Sequence, residues 1–389
     1  MPSKLYLCKT LEMAGKPYKF SITGIGVYSF EEALYHCLHY FKESADDFTS
    51  PEFIAWVCGE LGLLNLKTKL ENIRKEKLFS KRLIEFLSLA EYITEAELER
   101  VRTAASEWEN RLEWEKLKER GDYLMNHNEF TKAFVFYKKA LEYAENTELL
   151  NNTAISLMKQ GRYDEAVILF TAALEKAPDD ERIMLCLAEA HTLNKNADEA
   201  RTILARCQES AEVYYFLGEL DIQASAYTSA IANYAKAIEL SDDLIRDVDF
   251  IYRLADVYVK LRQFNKALEV ISNVQEKDKY HMKKNAELLE KSGNIPAAIK
   301  CVEKALVYNS DSVDLWIRLA VYHRMSYDLN RAYSAIIKAL NLSPKSEKAM
   351  LEHARIKKAM GKTKDYQQIL KSLLDGFKES FRETEAGVM

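Results

Sequence analysis

Two ladders of small residues constrain the fold of this 389-residue chain more than any other feature. The first recurs at intervals of 33, 34, 30, 37, 31, 34 and 34 residues, and the second follows each member by 12 residues. The first ladder is Gly121, Ala154, Ala188, Gly218, Ala255, Ala286, Ala320 and Ala354, and the second is Ala133, Ala166, Ala200, Ala230, Ala267, Ala298, Ala332 and Tyr366. Small side chains are needed where two helices cross closely, since a larger one overpacks the crossing at about 1–3 kcal/mol. The ladders therefore predict a stack of similar helix pairs.

Residues 312–344 show one such repeat most clearly. One face of its first predicted helix carries Trp316, Leu319, Ala320 and His323, and Pro344 ends the second helix. Two antiparallel helices in about 34 residues, with these residue types at these offsets, resemble the tetratricopeptide repeat. We interpret the conspicuous residues as structural, and we expect truncation of Trp316 to cost about 3–5 kcal/mol.

The resemblance to tetratricopeptide repeat proteins covers residues 114 to 378. It implies a mainly α fold, a right-handed superhelical solenoid of antiparallel helix pairs. It also implies a non-catalytic scaffold or adaptor that binds a protein or peptide in its concave groove.

The first 93 residues lack these ladders. Apolar residues alternate with polar ones from Tyr18 to Ile22, ahead of two glycines, which predicts a small hairpin. Apolar stripes then predict four helices, the first opened by a capping box of Ser29 and Glu32 and the second by Pro51. Residues 1–93 are therefore predicted to form a small α+β module, and it weakly resembles modules that precede repeats in some bacterial proteins of unassigned role.

A long helix is predicted to join this module to the repeats. Thr94 and Glu97 form a capping box and no breaker follows before Gly121, so we expect one helix to about Met125, with residues 94–113 as the connection. Its apolar seam is expected to pack on the helix of residues 83–93, and consists of Leu98, Val101, Ala105, Trp108 and Leu112.

The repeats are predicted to end in a cap. Seven units span residues 114–346, and a capping helix pair with a wet outer face spans 347–378. We expect its last helix to end near Phe377 and residues 379–389 to form a flexible tail.

Composition excludes several functions. The 55 basic and 60 acidic residues give a net charge of −5, which argues against general binding of nucleic acid or anionic membranes. No apolar run reaches the roughly 18 residues of a membrane-spanning helix and no leader pattern opens the chain, so a cytoplasmic location is predicted. The 6 cysteines contain no Cys-x-x-Cys pair, which favours buried thiols.

Catalytic, cofactor and metal sites are not predicted. The chain has no Gly-rich phosphate loop, no Gly-x-Ser-x-Gly elbow and no paired acid–base constellation. The run Tyr35-His36-Cys37-Leu38-His39, with Cys58, resembles a ligand set, but helical spacing places Cys37 in an apolar stripe and His36 and His39 outside it. His191 and His323 occupy the aromatic position of their helices and are interpreted as packed residues.

The face opposite the ladder is predicted to line the groove. The offset selects Lys118, Asp122, Asn152, Arg182, Tyr215, Glu219, Tyr252, Arg253, Asp256, Lys283, Glu287, Arg318, Arg324 and Arg355 as peptide-binding residues. The resulting groove is acidic and aromatic in the middle and basic toward the C-terminal end, which suits a segment of matching polarity. The competing interpretation is that these are solvated helix faces, since exposed helices carry charges by default.

One specific ligand can be tested on the residues. Some tetratricopeptide co-chaperones hold a C-terminal carboxylate with Lys and Asn on one repeat, Asn on the next and two basic residues on the third. Lys118, Asn152 and Arg182 match that set, but Asp122 and Cys186 replace an Asn and a basic residue. Because Asp122 would repel a carboxylate, this clamp is disfavoured.

The alternative function is a peptide-sensing transcriptional or signalling regulator whose N-terminal module is the DNA-binding or protein-binding effector. Residues 65–82 are rich in Lys and Arg, and residues 53–73 can be aligned with a helix-turn-helix. The strands before residue 30 fit that arrangement poorly, and a solvated basic helix face explains the charges more simply. The partner and the oligomeric state are not determined by the sequence.

Overall fold

The computed structural model describes residues 13–90, 92–274 and 279–386, which form two compact units divided between Cys207 and Gln208. The described chain is mainly helical with one small sheet, so the predicted fold class is confirmed.

The N-terminal module of the first unit begins with the predicted hairpin. Strands β1 (Tyr18–Lys19) and β2 (Gly26–Val27) pair antiparallel. Helices α1 (Phe30–His39), α2 (Pro51–Gly59), α3 (Lys67–Lys75) and α4 (Phe79–Leu87) follow, with a 3₁₀ turn at Leu64–Leu66. Ser29 caps α1 by accepting from the Glu32 amide, and Pro51 is the first residue of α2, as expected.

The predicted long joining helix is broken. Helix α5 spans Glu95–Glu109 and α6 spans Glu113–Asn126, with residues 110–112 between them. Leu112 adopts an extended backbone and its amide donates to the Glu115 carboxylate, which opens a new helix without any Gly or Pro. A helix start without a Gly or Pro before it carries no breaker signal, so the sequence predicted a single helix here.

Helix α5 does pack on α4 as predicted, although Leu112 of the predicted seam lies beyond the end of α5 and is 60% exposed. The rings of Phe79 and Trp108 lie 4.9 Å apart, and Ala105 and Trp108 belong to the core of the module. Glu109 caps α4 from the neighbouring helix, accepting from the amides of Phe79 (2.6 Å) and Ser80 (3.2 Å) and from the Ser80 hydroxyl (2.7 Å). Partial burial acts to raise the pKa of Glu109, but these hydrogen bonds outweigh it and hold the pKa below its ordinary value.

Arg120 fastens the module to the first repeat. It stands directly before Gly121, where a later repeat has Leu319, and it is 8% exposed. Its guanidinium donates to the Lys42 carbonyl (3.2 Å) and the Asp46 carboxylate (2.8 Å), and lies 5.4 Å from the Trp108 ring centre. The charge of Arg120, which is buried where other repeats have an apolar side chain, is thus stabilised by a carbonyl, a carboxylate and an aromatic ring.

Eight helix pairs follow in the described residues, and we call the first helix of each pair A and the second B. In the first unit they are α6 with α7 (Phe130–Leu141), α8 (Thr147–Lys159) with α9 (Tyr163–Lys176), and α10 (Glu181–Leu193) with α11 (Ala197–Leu204). In the second unit they are α12 (Ala211–Gln223) with α13 (Tyr227–Leu240), α14 (Val248–Lys260) with α15 (Phe264–Ser272), α16 (Lys279–Lys291) with α17 (Ile295–Tyr308), α18 (Val313–Met325) with α19 (Leu329–Leu342), and α20 (Glu347–Ala359) with α21 (Thr363–Ala386).

The ladder residues lie where the A and B helices cross. Ala133, Ala154, Ala255 and Ala320 are 0% exposed, which the close approach of two helices requires. A Cβ on Gly121 would lie 2.5 Å from the Tyr137 ring, and one on Gly218 would lie 2.5 Å from the Tyr234 ring. Both glycines are therefore required by an aromatic ring that crosses over them.

Trp316 does not have the buried position that the sequence suggested. It is half-buried, its indole N–H donates to the Ser310 carbonyl at 2.7 Å, and the Lys338 ammonium lies 4.4 Å from its ring centre. The buried aromatic of α18 is Tyr322, which is 1% exposed. The expected cost of truncating Trp316 is accordingly lower than the 3–5 kcal/mol typical of a fully buried Trp.

The last helix is longer than expected. Helix α21 continues to Ala386 instead of ending near Phe377, so most of the predicted tail at 379–389 is helical. Residues 387–389 lie outside the described chain.

Candidate functional site

The predicted groove residues of the second unit are joined across repeats by ion pairs. In each pair the acid directly follows a residue of the first ladder. The base lies in the next repeat, two positions before that repeat's residue of the same ladder. Glu219 pairs with Arg253 (2.5 Å), Asp256 with Lys284 (2.6 Å) and Glu287 with Arg318 (2.7 Å). Each pair joins two successive A helices. We call the surface formed by this side of the A helices, in either unit, the A face.

The predicted basic end is neutralised in the same way. Arg318 also contacts Asp314 at 3.4 Å, and Lys283 contacts the same carboxylate at 3.2 Å. Glu352 accepts from Arg324 (2.5 Å) and Arg355 (3.4 Å). The four basic residues of the predicted peptide-binding set in this region, Lys283, Arg318, Arg324 and Arg355, are therefore each paired with a carboxylate of the chain.

Aromatic side chains accompany these pairs in the fourth to sixth repeats. Tyr215 contacts the rings of Phe216, Tyr234 and Phe250, and is partly buried. Tyr252 is 8% exposed and packs edge-on against Tyr280, so it is a core residue and not the accessible contact that the sequence suggested. Tyr280, which is not in the predicted peptide-binding set, is 55% exposed and presents its ring to solvent.

Two acids of this face are exposed. Glu212 and Asp249 stand at the same position of the fourth and fifth repeats, and no basic side chain of the described chain is paired with either. With Tyr280 at the corresponding position of the sixth repeat, they form an acidic and aromatic row. Asp256 is exposed as well, but it is paired with Lys284.

In the first unit the A face is built around Asp122. Its carboxylate accepts from Lys118 (2.8 Å), from the Tyr137 hydroxyl (2.7 Å) and from the Asn152 amide (3.4 Å). Lys118 also pairs with Glu148 at 2.9 Å. Burial acts to lower the pKa of Lys118, but its two carboxylate partners outweigh it and raise the pKa, so the ammonium stays charged.

These contacts bear directly on the carboxylate clamp. Lys118 and Asn152 lie close to Asp122 and donate to it, so their donors are turned toward a carboxylate of the chain. Arg182 is 91% exposed and contacts only Asp180, at 3.5 Å, among the ion pairs of the described residues. An incoming carboxylate would meet Asp122 where the clamp requires a donor.

A cavity of about 350 Å³ opens on the A face of the first unit. It is lined by Arg111, Trp114, Glu115, Lys118, Glu119, Asp122 and Glu148. Glu119 is held by Lys42 (2.5 Å) and Arg111 (3.3 Å). Lys118 and Asp122 belong to the predicted peptide-binding set. Glu115 lies on the same helix, and Glu148 occupies the position of Glu115 in the next repeat, on α8.

Of the histidine and cysteine candidates of the N-terminal module, His36 and Cys37 are buried, whereas His39 is exposed. His36 is 3% exposed, contrary to the expectation that it lies off the buried stripe. Its ring nitrogens contact the hydroxyls of Thr23 (2.8 Å) and Ser44 (3.0 Å), and its ring stacks on Phe20. Among the described residues no cluster of three or more His, Cys, Asp or Glu has the geometry of a metal site.

The basic stretch of the N-terminal module faces solvent. Exposed cationic residues are Lys67, Lys69, Arg74, Lys75, Lys77 and Lys81. Arg82 instead lies against the rings of Phe48 and Phe79. The regulator function remains a prediction. In the part of the chain that the structure describes, no helix is long and apolar enough to cross a membrane.

Comparison with protein families identifies two matching models. The tetratricopeptide repeat model matches residues 147–180, and the model of the tetratricopeptide repeat protein 21 C-terminal ARM domain matches residues 167–293. Neither description is that of an enzyme family.

Curated relatives match over part of their length. The Protein STIP1 homolog of Dictyostelium discoideum is 28% identical over 200 residues, 51% of this chain and 30% of that protein. The human Protein O-mannosyl-transferase TMTC3 is 25% identical over 246 residues, 60% of this chain and 24% of that protein. The chain thus spans about a third or less of the curated relatives it matches.

Solved structures of tetratricopeptide repeat proteins also match. The C-terminal part of a repeat-containing protein from Cytophaga hutchinsonii aligns with 60% of this chain and 97% of its own, at 17% identity and a TM-score of 0.47. A repeat protein from Parabacteroides merdae aligns with 63% of this chain and 98% of its own, at 20% identity and a TM-score of 0.42.

Proposed function

We propose, from the premise that this chain is a tetratricopeptide repeat protein, that it is a non-catalytic scaffold or adaptor. It binds a protein or peptide segment along the concave A faces of its repeats. The cytoplasm is the location we predict for it.

One observation carries this proposal: the cross-repeat ion pairs join successive A helices of the second unit into a shared surface. Each pair is partly exposed and contributes about 0.2–1 kcal/mol, too little to explain the fold by itself. The same surface carries Glu212, Asp249 and Tyr280, which recur at one position of consecutive repeats. A segment that crosses these repeats meets a repeated acidic and aromatic pattern.

The chemistry of this row favours a partner segment with basic residues. Exposed carboxylates attract cationic side chains, and an exposed tyrosine ring offers both apolar area and a π face. A contact of modest quality on such a surface gives a Kd of about 1 μM, near −8 kcal/mol.

The proposal is tested by comparing two full-length variants as baits for cross-linking and quantitative mass spectrometry. One carries Glu212→Lys, Asp249→Lys and Tyr280→Ala on the A face. The control carries Glu269→Lys and Glu303→Lys on exposed positions of B helices. Partners retained by the control and lost by the A-face variant support the proposal.

The opposite result rejects it. If the A-face variant retains every partner and deletion of residues 1–93 removes them, the module is the binding element. Arg253 and Arg318 are avoided as test positions because each is held by a carboxylate of a neighbouring repeat, so reversing its charge disturbs the stack itself.

A further inference from the structure

The cavity at the start of the repeats has a composition that the groove proposal does not explain. Arg111 comes from the break between α5 and α6, five lining residues come from α6, and Glu148 comes from α8. Its volume of about 350 Å³ falls within the range of small ligand sites, roughly 300–1,000 Å³. The following inference rests on the proposed function, since it names what one part of the A face binds.

Anions are poor ligands for this cavity. The Lys118 ammonium is already bound by Asp122 (2.8 Å) and Glu148 (2.9 Å), and Arg111 is bound by Glu119 at 3.3 Å. A carboxylate ligand would have to displace these partners and approach four acidic side chains of the lining. Like charges at such short range repel each other, so the cavity selects against a C-terminal carboxylate.

Cations are favoured by the same charges. The lining has four carboxylates, Glu115, Glu119, Asp122 and Glu148, against Arg111 and Lys118, and Lys42 adds a third cation through Glu119. Glu115 accepts from the Leu112 amide at 3.1 Å, and no cation of the described chain is paired with it. The local charge is therefore negative, and part of that charge has no counter-ion within the protein.

Trp114 supplies a second and independent feature. Its side chain is half-buried and its indole forms part of the cavity wall. A guanidinium or ammonium group that stacks on an indole gains a cation–π interaction, and Trp is the strongest of the aromatic side chains in this respect. The planar guanidinium can also bind a carboxylate with two hydrogen bonds.

We infer that this cavity binds the arginine side chain of a partner protein segment, with the guanidinium stacked on Trp114 and hydrogen-bonded to Glu115 and Glu148. Arginine fits better than lysine because it satisfies the indole face and the carboxylates together. The first repeats thus bind a basic residue, whereas the clamp that they superficially resemble binds a carboxylate.

The test uses two small probes that differ in charge and little in shape, N-acetyl-arginine methylamide and N-acetyl-citrulline methylamide. Each is titrated into full-length ¹⁵N-labelled protein while the Trp114 indole signal, assigned by Trp114→Phe, is followed by NMR. We expect a saturable shift with the arginine probe at millimolar concentration and affinity for citrulline weaker by about tenfold, equivalent to 1.4 kcal/mol.

Variants locate the interaction. Glu148→Gln and Glu115→Gln are each expected to weaken arginine binding by about tenfold, whereas Glu175→Gln, on an exposed position of α9 outside the lining, leaves it unchanged. Helical circular dichroism and thermal unfolding of each variant confirm that it is folded, and Glu115→Gln keeps an oxygen for the Leu112 amide. Equal binding of both probes, no shift of Trp114, or equal effects of Glu148→Gln and Glu175→Gln would overturn the inference.

The probe titration and the bait experiment have independent outcomes. The bait variants change only the second unit, so loss of partners there supports the scaffold proposal whatever the probes do. If the probes fail while the A-face variant still loses partners, only the arginine inference is wrong. If the probes bind while the A-face variant retains all partners, the cavity is a binding site but the A face of the second unit is not.

Discussion

At the scale of single residues, glycine and tyrosine occupy the helix crossing together in two repeats. Gly121 is followed 16 residues later by Tyr137, and Gly218 by Tyr234 at the same distance. At the same spacing, Ala154 is followed by Phe170 and Ala320 by Ile336. The missing Cβ makes room for a ring, and the tyrosine hydroxyl then donates to the acid that follows the glycine. Burial and that acid both raise the pKa of each tyrosine.

Gly121→Ala is expected to destabilise the protein by about 1–2 kcal/mol. Alanine favours the helix by about 0.5–1 kcal/mol, but overpacking against the Tyr137 ring costs about 1–3 kcal/mol. The free energy of unfolding from urea denaturation measures the balance. Gly59→Ala is the matched control, since nothing lies within 4 Å of its Cβ position, and it should be neutral or stabilising. A Gly121→Ala variant as stable as wild type would contradict the packing argument.

A third ladder lies in the turns between A and B helices. In all eight described pairs the residue seven positions after the ladder residue has a left-handed backbone. It is glycine at 161, 293 and 361, and a side-chain residue at Asn128, Lys195, Ser225, Arg262 and Tyr327. Because only three of the eight are glycine, the sequence alone does not reveal this pattern.

Tyr327→Gly is expected to stabilise the protein by about 0.5–1 kcal/mol. Tyr327 is 89% exposed, so its removal loses little packing. A left-handed backbone costs a residue with a side chain about 1–2 kcal/mol, and glycine removes this cost. The greater flexibility of glycine in the unfolded chain offsets part of that stabilisation. The midpoint of urea unfolding should rise. Tyr327→Ala keeps the Cβ and should show no such rise, and a rise equal to that of the glycine variant would mean that the ring and not the backbone is responsible.

His36 predicts a pH dependence. Burial lowers its pKa from the ordinary 6.5 to about 4, so the folded protein keeps a neutral ring where the unfolded chain binds a proton. Its contribution to stability is full above pH 6.5 and is lost progressively as pH falls toward 4. The free energy of unfolding should therefore drop less steeply over this window in His36→Gln than in wild type, whereas His39→Gln, at an exposed position, should follow wild type.

At the scale of elements, helix ends are decided by contacts between helices. The Ser29 cap and the Thr94 capping box could be predicted because their partners are local in sequence, although the Glu32 carboxylate accepts from the Tyr28 amide. The cap of α4 could not, since its acceptor Glu109 is 30 residues away and belongs to another helix. The break before α6 lies beside this same contact.

Glu109→Ala is expected to cost about 1–2 kcal/mol, because the amides of Phe79 and Ser80 lose their acceptor. Hydrogen exchange should accelerate at these two amides, and thermal unfolding should move to lower temperature. Glu107→Ala, two residues away and exposed, is the control. Unchanged exchange at Phe79 and Ser80 would show that water replaces the carboxylate without loss.

At the scale of the whole molecule, the second unit is compact in its own right and contains five of the described helix pairs. Three or more repeats are generally enough to bury a continuous core. Residues 208–389 alone are therefore expected to give a helical circular dichroism spectrum and a cooperative urea transition. A spectrum without cooperative unfolding would mean that the unit depends on the preceding residues.

The sequence by itself determined the repeat register, the helix pairs and the small N-terminal module, because small residues at fixed spacing and local caps act through neighbours in the chain. Only the tertiary structure decided which polar residues are accessible. Periodicity places Arg120 at a core position, although it is charged, and places Tyr252 and Glu352 on the predicted groove face. All three are buried, because partners from other elements pack against them. The groove charges were predicted as a polarity, but the stacking of repeats brings several of them next to an opposite charge. Glu219, Asp256 and Glu287 therefore form ion pairs within the protein, whereas Glu212 and Asp249 stay exposed.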